Sequence, residues 1–214
     1  MFLIFINNLK KNNMSSFNLE KGSSFDFSME APSLTLAGVG LGWKAEADLD
    51  VSAFCVGEDG QLPQKSDLVF FNSELKTVLE GEEGPRPYST DGAVYGSIDK
   101  LEGDDADGDV ENMWIYLDRV GSNIKEIIIV VTIYHAKENG ITMRDVPNCY
   151  CRIWDQNTGN ELCRYSMSEN FGNEDSVEIG KFVKDFNGNW SFVALGNGYE
   201  GGLKTFIQKY ANRF

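Results

Sequence analysis

Residues 99–111 read DKLEGDDADGDVE. They carry seven carboxylates, on Asp99, Glu102, Asp104, Asp105, Asp107, Asp109 and Glu111, against one base, Lys100. Two unit charges about 6 Å apart repel by roughly 0.7 kcal/mol in water and by about four times that at an effective dielectric near 20. A fold that gathers these acids needs a counter-ion, or it leaves them splayed in solvent. An oxygen-only donor set without nearby His or Cys selects hard cations. Many carboxylates on a glycine-broken backbone suit Ca²⁺, which takes about 6–8 oxygens in flexible geometry, better than octahedral Mg²⁺. A second acidic pair, Asp48-Leu49-Asp50, precedes an apolar run, and alternation puts both carboxylates on one face, opposite Leu49 and Val51. If the two clusters converge at one end of the fold, Asp48, Asp50, Asp99, Asp104, Asp105, Asp107, Asp109 and Glu111 are candidate ligands for one or two calcium ions. The plain alternative is two solvated acidic faces that bind nothing.

An EF-hand does not fit this segment. Placing Gly108 at the invariant glycine puts Gly103 at the first ligand position and Trp114 at the last, and neither side chain ligates there. A calcium site here must be built from loops on a sheet scaffold. His135 is the only histidine, so any Ser-His or Cys-His machinery would have to use it. It ends a long apolar run, where a surface residue is expected. No phosphate-cradling loop or nucleophile elbow is present. Gly38-Val-Gly-Leu-Gly42 is not a dinucleotide fingerprint and suits a tight approach beside Trp43. Paired carboxylates run glycoside hydrolysis in other proteins, but no stacking aromatics flank the acidic segment. The chain is therefore expected to be non-enzymatic. A phosphate-bearing ligand would need an arginine or a helix N-terminus, for which Arg144, Arg152 and Arg164 are candidates.

The elements that position these residues are mostly strands. Apolar or alternating runs recur at residues 33–37, 49–56, 68–71, 113–117, 126–134, 149–155 and 161–167, separated by turn residues. Residues 181–186 and 190–194 flank Asn187-Gly188-Asn189 and read as a hairpin. Residues 127–133 are continuously apolar, too short to span a membrane, and suit a central strand buried on both faces. Only the tail is helical in pattern: Leu203, Phe206, Ile207 and Tyr210 fall at i, i+3, i+4 and i+7. This predicts an all-β two-sheet sandwich with a short C-terminal helix. Residues 73–111 break the rhythm as a long, polar, glycine-rich connection, of the kind that is usually functional or mobile.

The 214 residues suffice for a sizeable core, and 42% hydrophobic content argues against disorder. The net charge of −14 disfavours nucleic acid, whose binding requires Lys and Arg. It also disfavours anionic membrane surfaces. Cys55, Cys149, Cys151 and Cys163 sit in strand-like apolar runs without a CxxC pair, which predicts buried free thiols and a reducing, cytoplasmic setting. Residues 1–13 read as a disordered extension with no integral membrane segment, and residues 14–214 as a single domain.

Six segments in order resemble the TerD family. Gly38–Gly42 with Trp43, then Asp48-Leu-Asp-Val-Ser-Ala-Phe54, is similar to its glycine-tryptophan and DLDxSxF segments. Asp104 to Glu111 resembles its GDGDDE acidic loop, and the run to Tyr134 its VTIY strand. Glu161-Leu-Cys-Arg-Tyr-Ser-Met-Ser-Glu169 resembles ElxRYxLSE. Trp190-Ser-Phe192 and Gly196-Asn-Gly-Tyr-Glu-Gly-Gly-Leu203 resemble its closing segments. The resemblance covers about residues 15–211. It implies a C2-like sandwich, two bound Ca²⁺ ions, a role in tellurite resistance or stress response, and protein partners in a stress complex. Cyclic-AMP binding with structural calcium is the alternative it suggests. The sequence departs from the family at Lys44, at Ala106 and Val110 in the acidic loop, and in an expanded region at 73–96.

Overall fold

The computed structural model describes residues 16–44, 47–98, 108–167 and 171–214. Fourteen strands are described: β1 (Phe17–Leu19), β2 (Ser24–Asp26), β3 (Leu36–Gly42), β4 (Leu49–Val56), β5 (Leu68–Val69), β6 (Lys76–Val78), β7 (Pro85–Pro87), β8 (Val94–Tyr95), β9 (Glu111–Tyr116), β10 (Glu126–Ile133), β11 (Tyr150–Asp155), β12 (Glu161–Ser166), β13 (Ser176–Lys184) and β14 (Trp190–Tyr199). Twelve of them form two six-stranded sheets, ordered β1-β12-β11-β3-β9-β8 and β2-β14-β13-β10-β4-β5. The first is called sheet A here and the second sheet B. All neighbours are antiparallel except β1 against β12. The expected all-β sandwich is the observed fold.

The apolar run at 127–133 becomes β10, between β13 and β4. Its alternate residues go to two different cores. Ile127, Ile129, Val131 and Ile133 join Leu49, Val51, Ala53 and Cys55 of β4 between the sheets. Ile128 and Val130 join Phe54 and Val56 on the outward face, under Phe206. The cover on that face is the helix α3 (Gly202–Tyr210). Its apolar stripe has to be buried somewhere, and the outward face of sheet B supplies the surface. Over Ala53–Val56 and Ile127–Val131 both faces are therefore apolar and buried, which is why these stretches show no polar alternation.

Three expectations are corrected. The strand placed at 33–37 lies at Leu36–Gly42 and runs through the glycine stripe. Two one-turn helices not read from sequence appear, α1 (Phe27–Glu30) and α2 (Ala136–Asn139). Residues 73–98 are not an open loop. β6 and β7 pair as a hairpin, β8 adds to sheet A, and Arg86 fastens the hairpin to β9.

All four cysteines are free and buried. Burial pushes the thiols up, Cys149 and Cys163 to about 12 and the other two in the same direction. Since the thiolate is the reactive species, native protein is expected to be inert to Ellman's reagent, with four thiols titrating once it is unfolded. Rapid labelling of the native state would contradict this placement. Among the described residues no helix is long and apolar enough to cross a membrane.

Candidate functional site

The acidic candidates meet the fold where β9 begins. Glu111 is the first residue of β9 and points inward. Its Oε2 accepts from the backbone N–H of Val51 at 2.8 Å, and so satisfies a donor on β4 that the short β5 does not reach. Val110 N–H donates to Leu41 O of β3 at 2.8 Å. The end of the acidic segment is thereby tied to both sheets, beside the strand that carries Asp50.

Asp50 stands where alternation predicts. Leu49 and Val51 enter the inter-sheet core, and Asp50, paired in register with Thr132, takes the outward face of sheet B. Asp50 is buried, at 7% exposure. Asp48 is half-buried, and its carbonyl accepts from Tyr134 N–H at 2.8 Å. Asp50 lines a cleft of about 390 Å³ together with Phe71, Thr132, Tyr134, His135 and Leu203. His135 holds a left-handed backbone, φ 49°, and its Nδ1 lies 3.7 Å from Glu138 at the exposed rim. Asp175 closes the floor by accepting from Gly201 and Gly202 N–H at 3.1 and 2.8 Å. It thereby satisfies the orphan donors at the start of α3.

Asp109 goes elsewhere. Tyr150, Arg152 and Trp154 project from β11 on the outward face of sheet A, while Cys151 and Ile153 face the core. Asp109 lies among them. Arg152 Nε reaches its two oxygens at 2.8 and 3.0 Å, Arg152 Nη2 reaches Oδ2 at 2.7 Å, and Tyr150 O–H donates to Oδ1 at 3.0 Å. Arg152 continues to Glu161 at 3.4 Å, and Glu161 binds Arg164 at 2.8–2.9 Å. Burial, then the Asp109 charge, pushes the Tyr150 phenol up. The glycines of β3 make room for this layer. A Cβ at Gly38 would lie 2.2 Å from the Trp154 indole, one at Gly40 2.2 Å from the Asp109 carboxylate, and one at Gly42 2.4 Å from the Tyr150 ring. The tight approach read from the sequence is thus three approaches, by one acid and two aromatics.

The structure brings Glu111 to the strand of Asp48 and Asp50, and takes Asp109 to the opposite sheet. Asp99, Asp104, Asp105 and Asp107 lie outside the described residues, as does Glu102. Among the described residues no three His, Cys, Asp or Glu side chains are grouped as a metal site. Of the arginines considered for phosphate, Arg152 and Arg164 are engaged with Asp109 and Glu161, and Arg144 Nε donates to Phe171 O at 3.4 Å. Sequence reasoning missed two features. One is the role of Arg152 as counter-ion to Asp109. The other is the buried Glu178 of β13, bound by Lys209, Tyr210 and Tyr199. Neither is periodic, and only a buried charge inside a strand run hinted at the second.

Comparison with known proteins agrees with this architecture. The TerD domain model matches residues 14–210. A tellurium resistance protein TerD of Serratia marcescens is 33% identical over 201 residues, covering 91% of this chain and 97% of that one. General stress protein 16U of Bacillus subtilis (strain 168) is 33% identical over 202 residues, with the same coverage. The crystal structure of a homologue of telluride resistance protein (TerD) from Streptomyces coelicolor A3(2) superposes with a TM-score of 0.61 at 22% identity. It covers 81% of this chain and 95% of that one, and it shares the fold. With the family model spanning nearly the whole described sandwich, the chain belongs to the TerD domain family.

Proposed function

We propose that this TerD-family chain is a calcium-binding, non-catalytic module of a tellurium-resistance or stress-response system, acting by binding or scaffolding protein partners in the cytoplasm. One observation carries this reading. The Glu111–Val51 hydrogen bond of 2.8 Å ties the end of the acidic segment to β4, which carries Asp50 and directly follows Asp48. The side chains of Asp48, Asp50 and Glu111 offer oxygen alone, the donor chemistry of a hard cation. Asp48, Asp50 and Glu111 would hold one or two calcium ions with the acids at 99, 104, 105 and 107, and the ion would neutralise their charge. A cyclic-nucleotide reading is less favoured, because Arg152 and Arg164 are already paired with carboxylates.

If calcium binds only the folded state, stability rises by RT ln(1 + [L]/Kd), about 2.7 kcal/mol at a hundredfold excess over Kd. Chelator-stripped protein is expected to melt lower. Millimolar Ca²⁺ should restore the melting temperature more than equal Mg²⁺, and calorimetric titration should saturate at one or two ions. Asp50→Asn should weaken the affinity, while Asp67→Asn, outside both clusters, should change it little. A melting temperature indifferent to calcium in protein confirmed metal-free would refute the reading.

A further inference from the structure

Three successive residues at the end of the acidic segment are fastened to three different strands. Asp109 is held by β11, Val110 by β3, and Glu111 by β4. The Asp109 attachment is the most elaborate. Its carboxylate is only 7% exposed. Both oxygens accept from the Arg152 guanidinium at 2.7–3.0 Å, and Oδ1 also accepts from Tyr150. Fork-like guanidinium–carboxylate contacts are among the strongest and most directional hydrogen bonds available. The donor is itself oriented. The Arg152 guanidinium stacks 4.6 Å over Trp154, and its Nη1 reaches Glu161. The seat exists because residue 40 is glycine, since any Cβ there would collide with the carboxylate. A cation drawing on Asp109 would have to compete with these bonds and leave Arg152 half-paired in a partly buried site, which is unfavourable.

We propose that Asp109 is a positioning residue rather than a calcium ligand, and that Arg152 is its counter-ion, the two together fixing the exit of the acidic segment and so setting the affinity of the site. This role rests on the calcium reading for its effect on affinity. Its structural part, the anchoring of Val110 and Glu111, stands apart from that reading. Partners that orient ligands without touching the ion typically change metal affinity by roughly 10–100-fold.

The test compares wild type, Arg152→Gln, Asp109→Asn and the double variant, each as the full chain. Calcium affinity is measured by calorimetry, and the exchange of the Val110 amide is measured in excess chelator. Arg152→Gln and Asp109→Asn are expected to weaken calcium by a similar factor, roughly tenfold, with the double variant no weaker than either, because one interaction is removed twice. Arg152→Lys, which keeps the charge but not the fork, should recover part of the loss. In chelator, Val110 exchange should accelerate in both single variants while the global melt stays cooperative. Tighter calcium binding in Arg152→Gln together with lost binding in Asp109→Asn would overturn the proposal, since Asp109 would then be a ligand restrained by Arg152. Unchanged Val110 exchange in Arg152→Gln would overturn the anchoring. Faster exchange in a protein that takes up no calcium at all would keep the anchoring and reject the calcium reading and its effect on affinity.

Discussion

Arg86→Met is expected to lower the melting temperature by about 10 °C, because it removes the plug that holds the 73–98 region to sheet A. Arg86 is 3% exposed. Its Nε binds Glu82 at 2.6–2.8 Å. Its Nη1 reaches Gly96 O and Asn112 O at 2.8 and 2.9 Å, and its Nη2 reaches Asn112 Oδ1 at 2.7 Å. The guanidinium also lies 4.8 Å over Trp114. Methionine fills much of the volume but takes the Arg86 donors from a carboxylate, two backbone carbonyls and the Asn112 side-chain oxygen. Breaking a buried pair from one side costs about 3–5 kcal/mol, and each kcal/mol moves the melt of a domain this size by roughly 2–4 °C. Arg119→Met is the control. Arg119 is exposed and stacks on Tyr116, an interaction worth about 0.5–1 kcal/mol. Scanning calorimetry of both variants checks the claim. Equal small shifts would mean that the hairpin is held by its apolar contacts alone.

Glu178→Gln is expected to cost on the order of 2–3 kcal/mol at neutral pH and to flatten the acid limb of the stability profile. Glu178 is buried at 2% exposure beneath α3. It accepts from Lys209 at 2.6 Å, from Tyr199 O–H at 3.0 Å and from Tyr210 O–H at 2.5 Å. Burial alone would raise its carboxyl, but the hydrogen bonds from Lys209 and Tyr210 and the Lys209 charge outweigh it, and the net direction is down from 4.5. A carboxyl held low in the fold contributes stability that is complete above its unfolded value. That contribution is lost as the pH falls below about 4.5 toward the folded value. Burial lowers Lys209, but the Glu178 bond overrides it and the net direction is up. Tyr210 is pushed up by burial and then by Glu178. Both contribute stability that is complete below their unfolded values, near 10–10.5, and is lost at higher pH. The Lys209 side chain is 40% exposed, so solvent screening keeps the cost toward the lower end of the range for buried pairs. Denaturant melts of wild type and Glu178→Gln at pH 7 and at pH 3.5 measure the effect. Parallel acid loss in both proteins would show that other carboxylates govern the limb.

Local sequence determined the strands that bury apolar side chains, because β10 announces itself by a continuous apolar run, β4 by apolar residues at alternate positions that become continuous from Ala53, and a helix period of 3.6 marks α3 over Leu203, Phe206, Ile207 and Tyr210. It also located the acidic segment and the Asp48–Asp50 pair, since charge density is a property of the chain before it folds. The six ordered segments gave the family. Tertiary structure alone decided where each acid points. Asp109 and Arg152 are 43 residues apart, and no periodicity links a loop carboxylate to a guanidinium on a strand of the other hairpin. The strand at Leu36–Gly42 lies later than its sequence pattern indicates for a related reason. Glycine weakens a strand taken by itself, so the pattern ends the strand at residue 37. In the sandwich, Trp154, Asp109 and Tyr150 occupy the space that side chains on β3 would have filled. The partners of Arg86 and Glu178 were hidden likewise. A buried charge is stable only through donors and acceptors that the fold brings from distant segments, and those are properties of the packed sheets rather than of any stretch of sequence.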